Sequence, residues 1–462
     1  MNFGIIDLEL FFPKVYVSQS DLETYDNVPK GKYTIGLLQT NMSFPLENED
    51  SVSLALNAFD RLLARTSLDP NSIGRLEVGT ESSVDKSKSI KTHLMKLFKK
   101  SGNYDVLGVD NINACYGATA ALFNALSWCH SPFYDGRYAV VVSTDIAIYE
   151  KGPARPTGGC GAIAMIIGPD APIVLENGHG YCSSFFSHDW DFYKPKMSSE
   201  FPTVDGKLSI TLYLKAIDYC YTGFKKRFAL ANNTKQNEKK NIEIENEKKT
   251  TEQRQFDLSM TDFAIFHSPF NKMVVKSWAR IKYNDWFDNN EIIEGIDEEL
   301  RKKKKKETRI DRNVENAFRN VSKQSYKEKV EKSNYICAQC GNLYTGSLYG
   351  ALISLIIDQK EQITGKKVLM FSYGSGIASS MFLLKVKKCP TEAIKSCTRI
   401  QEMLDNREKI SPQMYTKILD KREENLSKFN YNPQWNPQYM WDGAWYLKQI
   451  DEKGRRIYEK NN

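Results

Sequence analysis

Tyr104-Asp-Val-Leu-Gly-Val109 runs directly into Asp110-Asn-Ile-Asn-Ala-Cys-Tyr-Gly-Ala-Thr-Ala-Ala-Leu-Phe-Asn-Ala-Leu-Ser-Trp128. The first six residues predict a short buried strand. Ala118 to Trp128, rich in Ala and Leu, predicts a buried helix. Cys115 stands at the junction. A thiol there meets the positive end of the helix dipole and unpaired backbone N–H groups. Both favour the thiolate, the nucleophilic form. A packed, inert cysteine is the plain alternative, since free Cys is among the most buried residue types. The strand–Cys–helix placement favours chemistry.

Working outward, the same grammar continues on both sides. Phe3 to Phe12 alternates like a strand and stops at Pro13. Ser51 to Thr66 has apolar residues at helical spacing. Ile73 to Gly79 reads as a strand whose end carries Thr80, Glu81 and Ser82, and Ser89 to Lys100 as a helix. Arg137 to Ser143 and Gly161 to Gly168 are apolar runs that predict buried strands. Strands apolar on both faces and alternating with helices predict a mostly parallel sheet covered on both sides. The second half follows the same alternation, with a helix from Leu208 to Leu230, a strand Asp262 to His267, and a helix from about Phe270. A helix Thr345 to Asp358, a strand Lys367 to Ser372, the turn Tyr373-Gly-Ser-Gly376 and an apolar run to Val386 follow. Two successive α/β halves suggest duplication, although no sequence repeat relates them.

Composition bounds the class. The chain has 462 residues, 41% of them hydrophobic, with 23 Phe and 24 Tyr, enough for a sizeable core. Its net charge of +7 is modest for the length, so no basic face for nucleic acid is implied. Nine scattered cysteines argue against a disulfide framework and for a reducing compartment. No apolar run is long enough to span a membrane. The start, MNFGIIDLELFFP, carries Asp7 and Glu9 and no basic region, and reads as a first strand. A cytoplasmic enzyme is expected. Two segments do not fit a core. In Lys235–Arg254, 11 of 20 residues are charged, which predicts a disordered or surface insertion. Arg301–Arg312 holds eight basic and two acidic residues, read as a solvated helix or loop. From about Arg399 the chain is charged and then aromatic, and is expected to close over the core.

Three residues occupy equivalent places. Glu81, Cys115 and His267 each follow a strand, where catalytic groups of α/β proteins collect. Together they permit covalent catalysis with acid–base support. Singly, Glu81 reads equally well as a helix cap, and His267 as a partner for a buried carbonyl. The turn Tyr373–Gly376 can present backbone N–H groups to an oxyanion. Lys272 and Lys276 share one helix face near a helix N-terminus, a setting suited to phosphate or simply to solvent.

With these residues in place, the chain closely resembles the hydroxymethylglutaryl-CoA synthase family of the thiolase superfamily. The resemblance rests on GKYTIGL (31–37), GRLEVGTES (74–82), DKSKSIKTHLM (85–95) and NACYGATAA (113–121). It continues through DGRYAVVVSTDIAIY (135–149), ARPTGGCGA (154–162), DFYKPK (191–196), VDGKLSI (204–210) and FHSPFNKMVVKSWAR (266–280). GNLYTGSLYG, FSYGSG and the C-terminal WYLKQIDEKGRRIY complete it.

The resemblance implies a duplicated, five-layered αβαβα thiolase-like fold. The halves would be 1–210, with Glu81 and Cys115, and 211–400, with His267 and charged insertions at about 235–256 and 297–330. Residues 401–462 would close the structure. It implies that Cys115 takes an acetyl group from acetyl-CoA, that Glu81 removes a methyl proton, and that the carbanion attacks acetoacetyl-CoA polarised by His267. Water would then release hydroxymethylglutaryl-CoA for the mevalonate (isoprenoid and sterol) route. The backbone N–H groups of Cys115 and Ser375, in the turn containing Gly374, would form the oxyanion hole. Asp85, Asp145 and Asp191 would support the site. Tyr116, Tyr149, Thr157, Phe192, Ser209 and Asn342 would contact substrate, and Lys272 and Lys276 the CoA phosphates. No metal or cofactor is expected, because the thioester supplies the activation. A homodimer without nucleic-acid or membrane partners is implied.

Three features depart from the family pattern. Ala118 stands where a second glycine is usual, which predicts a narrower site. Pro153 replaces an asparagine near the acyl-CoA site. Cys337-Ala-Gln-Cys340 lacks the second ligand pair that zinc requires and is read as two unpaired thiols. Glu81 favours this family over other condensing enzymes, which use a second His or Cys. The intact trio speaks against a scaffold protein that merely kept the fold, and a cysteine hydrolase would need no condensing carboxylate.

Overall fold

The computed structural model describes residues 2–176, 181–196, 198–240 and 256–461. Twelve strands position the site. β1 is Phe3–Phe11, β2 Ile73–Thr80, β3 Asp110–Ile112, β4 Tyr138–Ala147, β5 Gly159–Pro169, β6 Ile173–Leu175 and β7 Cys182–Phe186. β8 is Phe192–Tyr193, β9 Thr203–Val204, β10 Phe263–Phe266, β11 Lys367–Gly374 and β12 Ala378–Val386. Ten of them form one sheet in the order β10-β11-β12-β6-β1-β5-β4-β2-β3, with β7 also on β12, while β8 and β9 make a separate hairpin. The helices that matter are α1 (Ser51–Thr66), α2 (Gly117–Cys129), α3 (Gly206–Lys240), α4 (Asn271–Asn289), α5 (Arg312–Val321), α6 (Ser347–Gln359) and α7 (Pro412–Asn425).

Alternation along the strands sorts the apolar side chains into layers. Ala139 and Val141 of β4, with Ile163, Met165 and Ile167 of β5, face one core with α2 and α6. Val140 and Val142, with Ala162, Ala164 and Ile166, face another with α1. In the second half Phe263, Ile265, Val368 and Met370 join the central core. Ala264, Phe266, Leu369 and Phe371 turn to α3 and α4. The layers are therefore α1, the β1–β5 half of the sheet, α2 with α6, the β10–β12 half, and α3 with α4, which is the αβαβα order. Because side chains alternate with period two, the central strands are buried on both faces and their sequences become continuous apolar runs.

That burial misleads about direction. The expected mostly parallel sheet is a mixed one: β2–β3, β2–β4 and β10–β11 run parallel. β1–β5, β4–β5 and β11–β12 run antiparallel. An apolar run reports cover on both faces, and helices cover antiparallel neighbours here as well. The expected strand at Tyr104–Val109 is also corrected. Only Leu107 bridges Arg75, and pairing becomes regular at Asp110. This edge is not buried: Val109 is 62% and Ile112 68% exposed.

The second charged segment is better ordered than its composition predicts. Ile296, Val314 and Phe318 bury against Tyr283 and Trp286. The basic run finds partners: Arg301 lies 4.3 Å over the Trp286 ring, Lys305 meets Asp288 at 2.9 Å, and Arg309 meets Asp218 at 2.9 Å. Sequence counts the charges, but only the fold supplies their partners. Most of the first insertion, 241–255, lies outside the described residues.

Candidate active site

Strand β2 ends against the first turn of α2. A Cβ on Gly79 would lie 2.2 Å from the backbone nitrogen of Ala118, so glycine permits the approach. Glu81, two residues on, is thereby set beside Cys115. Its Oε2 accepts the Cys115 N–H at 2.7 Å and lies 3.5 Å from Sγ. Cys115 has φ +52°, a left-handed conformation uncommon for a non-glycine residue, at the strand-to-helix junction. The second half of the chain closes on this turn. A Cβ on Gly374 would meet the carbonyl oxygen of Ala114 at 1.7 Å, so the Tyr373–Gly376 turn can lie directly on the cysteine loop.

Asp145, at the end of β4, holds Glu81 from behind. Its Oδ1 accepts from the Glu81 N–H (2.8 Å), the Ser82 hydroxyl (2.9 Å) and the Thr80 hydroxyl (3.1 Å). Its Oδ2 accepts from the Thr345 N–H at 3.0 Å and from the Thr345 hydroxyl. One buried carboxylate thus ties the Glu81 loop to the start of α6. Burial, then the charge of Glu81, pushes the Asp145 carboxyl up. Asp191 serves the other wall: it accepts from the Gly376 N–H at 3.1 Å and the Tyr373 hydroxyl at 3.4 Å.

The thiolate expected from the helix end is corrected. Burial pushes the Cys115 thiol well up, and the Glu81 and Asp145 carboxylates push it further; Lys194 pulls the other way. A helix end contributes at most about 2 kcal/mol, too little against burial and two nearby negative charges. The expected oxyanion donor is also engaged, because the Cys115 N–H already donates to Glu81.

His267 follows β10 and is 1% exposed. It does not serve a backbone carbonyl: Nδ1 is buried without a partner among the described residues. Its own carbonyl accepts from the Tyr213 hydroxyl at 2.6 Å, and its N–H donates to Phe371 at 2.8 Å. Burial lowers its pKa from 6.5 to about 3, so the ring is neutral at working pH. Below pH 6.5 the unfolded chain takes a proton that the folded chain refuses. Stability therefore falls as pH falls from 6.5 toward 3, by up to ~1.4 kcal/mol per unit. Urea midpoints from pH 7 to 4.5 should show this slope in the wild type relative to His267→Gln. Parallel curves would refute it.

A pocket of about 560 Å³ opens over Glu81, beside the Cys115 loop; Cys115 and His267 are not among its lining residues. Glu81, Ser82, Asp85, Ala114, Phe192, Lys194 and Ser375 are among its walls. Tyr149 and Tyr344 pack beside Cys115 and Phe192, and Tyr149 also meets the Thr157 hydroxyl. Asp85 sits at the exposed rim, its Oδ1 accepting from the Ser87 and Lys88 N–H groups at 2.7 Å each. Other expected residues do not line this pocket. The Tyr116 hydroxyl bonds Ser380 at 2.7 Å, and Asn342 Oδ1 accepts from the Tyr344 N–H and the Ser347 hydroxyl, both at 2.8 Å. Ser209 is in the first turn of α3. Lys272 opens α4, and Lys276 pairs with Glu315 of α5 at 2.8 Å.

Ala118 is fully buried in the central core and is not among the pocket's lining residues. Pro153 lines a separate open hollow with Tyr25, Lys32, Tyr33 and Lys151. Cys337 and Cys340 are free buried thiols, Cys337 lying 3.1 Å from the Ser268 hydroxyl. Sequence reasoning misses Lys194, whose Nζ is 3.2 Å from Glu81 Oε1, and Tyr344 beneath it. The local signal is its place before Pro195, which favours an extended backbone.

A five-layered sandwich with a strand-end carboxylate facing a thiol at a strand-to-helix turn defines the class of thiolase-like condensing enzymes. The family profile "Hydroxymethylglutaryl-coenzyme A synthase N terminal" matches residues 1–172, and its C-terminal counterpart matches 173–461. Hydroxymethylglutaryl-CoA synthase A of Dictyostelium discoideum is 46% identical over 99% of this chain and 91% of its own. The cytoplasmic synthase of Homo sapiens is 43% identical over 99% and 87%. The mitochondrial synthase of Mus musculus is 44% identical over 99% and 89%. A solved structure of MvaS in complex with 3-hydroxy-3-methylglutaryl coenzyme A superposes with a TM-score of 0.82 at 28% identity, covering 100% of this chain and 99% of that one. The chain belongs to the hydroxymethylglutaryl-CoA synthase family and is an acyltransferase of the condensing type.

Proposed function

We infer that the chain condenses acetyl-CoA with acetoacetyl-CoA and water to give hydroxymethylglutaryl-CoA and CoA, the step that supplies the mevalonate route. The observation that carries this is the Glu81–Cys115 pair, with Oε2 between the N–H and the thiol of Cys115. First, the Cys115 sulfur attacks the acetyl carbonyl; an acetyl thioester forms and the thiol proton leaves with CoA. The thioester oxygen takes the Cys115 N–H from Glu81, which frees the carboxylate, and the Ser375 N–H completes the oxyanion hole. Glu81 then removes a methyl proton. The carbanion attacks the ketone carbon of acetoacetyl-CoA, whose oxygen hydrogen-bonds to neutral His267. Glu81 returns its proton to the resulting alkoxide, and water cleaves the Cys115 thioester. Every group returns to its starting state, and no resident cofactor or metal is called for.

The assay uses purified chain, acetyl-CoA and acetoacetyl-CoA, and follows loss of the acetoacetyl enolate absorbance with release of CoA thiol. An inactive wild-type chain refutes the inference. Lys272 and Lys276 are proposed to meet the CoA phosphates, with Glu315 the anion that phosphate would compete against. Nine free cysteines fit a reducing compartment. The relatives include cytoplasmic and mitochondrial proteins, and we place this one in the cytoplasm. Among the described residues no helix is long and apolar enough to cross a membrane.

A homodimer is proposed through the edge strand β3, because it ends the sheet with Ile112 exposed and follows the exposed Val109. An exposed apolar strand edge is a template for pairing. Ile112→Asp should shift the protein to monomer in size-exclusion chromatography with light scattering; an unchanged dimer, or a wild-type monomer, refutes the pairing.

A further inference from the structure

The ammonium of Lys194 stands 3.2 Å from Glu81 Oε1. That oxygen is buried and has no neutral hydrogen-bond donor among the described residues. The two oxygens of Glu81 are thus divided: Oε2 is held by the Cys115 N–H, which a thioester oxygen must claim, while Oε1 has Lys194. The lysine is itself held in place. The β8–β9 hairpin that carries it is anchored by Asp191, whose carbonyl accepts the Asp205 N–H at 2.8 Å. Its Nζ lies 4.7 Å from the centre of the Tyr344 ring and 5.9 Å from that of Phe192. Its side chain is only 19% exposed.

Charge balance gives this cation a purpose. Glu81 and Asp145 put two buried carboxylates beside one thiol, and the structure sets Lys194 against that negative charge. When the acetyl oxygen displaces Oε2, the contact at Oε1 remains and the carboxylate can pivot about it. When Glu81 takes the methyl proton it becomes neutral, and the negative charge passes to the substrate enolate in the same pocket. Lys194 lines that pocket and can face the charge in either place. As the alkoxide is protonated, the charge returns to Glu81 and the original pair re-forms.

We propose that Lys194 is the positioning residue for Glu81, a fixed counter-charge about which the carboxylate turns from the Cys115 N–H to the acetyl methyl. This rests on the synthase reading, with Glu81 as the base. The test compares the wild type with Lys194→Met, Lys194→Gln and Lys194→Arg in the condensation assay and by mass after acetyl-CoA alone. Met keeps the length of the stem, Gln keeps a donor without charge, and Arg keeps the charge.

Met and Gln are expected to retain the acetyl mass increase while kcat falls by ~100-fold, the lower end for losing acid–base function. Arg should recover most of the rate. Equal kcat in Met and wild type overturns the proposal. So does loss of acetylation in step with condensation, or an Arg variant no better than Met. If Met fails to fold, Gln and Arg decide in the same way. A wild-type chain that forms no product fails before any variant is made, and that outcome refutes the synthase reading itself.

Discussion

Cys115→Ala should abolish turnover, with a loss on the order of 10⁵–10⁶-fold, the scale seen when a covalent nucleophile is deleted. Incubation with acetyl-CoA alone should add no acetyl mass to the variant, while the wild type gains one acetyl group. The reasoning starts from geometry. Cys115 lies at the junction where β3, the Glu81 loop and the Tyr373–Gly376 turn converge. Alanine keeps the Cβ and the left-handed backbone and removes only a sulfur that meets Glu81 at 3.5 Å. The stability cost should stay near ~1 kcal/mol, typical of a single weak contact. Eight other free cysteines remain in the variant. If one of them were the acceptor, Cys115→Ala would still gain the acetyl mass, and the assignment would be wrong.

Parts of this site are legible in the sequence, and others are hidden for definite reasons. Glu81, Cys115 and His267 are readable because each follows a strand, and the strands are readable as apolar runs bounded by turn residues. Strand direction is not, because an apolar run says only that both faces are covered. The helix end alone predicts a thiolate at Cys115; its neighbours across the fold, Glu81 and Asp145, decide otherwise, and they are 34 and 30 residues away in sequence. Lys194 is hidden inside the DFYKPK motif, since nothing local says that a lysine before a proline will meet a carboxylate 113 residues earlier. Lys276 is legible as a helix-face cation but not as the partner of Glu315, which a later segment brings to it. In each case local pattern supplies the group and its place on an element, and the long-range partner that sets its charge comes only with the fold.

Glu81→Ala is the variant that separates the two half-reactions, and its expected result is asymmetric. Condensation should fall by ~10²–10⁴-fold, the usual contribution of a positioned general base. Acetylation of Cys115 should survive, for two physical reasons. The carboxylate raises the thiol by its charge and by its hydrogen bond, so its removal makes the sulfur easier to ionise. Its removal also frees the Cys115 N–H, now donated to Oε2 at 2.7 Å, for the oxygen of an incoming thioester. The fold should tolerate the change, because Asp145 binds the backbone N–H of Glu81 at 2.8 Å and alanine keeps that donor. Mass measurement after acetyl-CoA alone, beside the rate with both substrates, reads the two halves separately. An acetylated but non-condensing Glu81→Ala assigns the carboxylate to the carbon acid. A variant that also loses acetylation would instead make Glu81 the base for the thiol, and proton removal from the methyl group would then need another residue in the pocket.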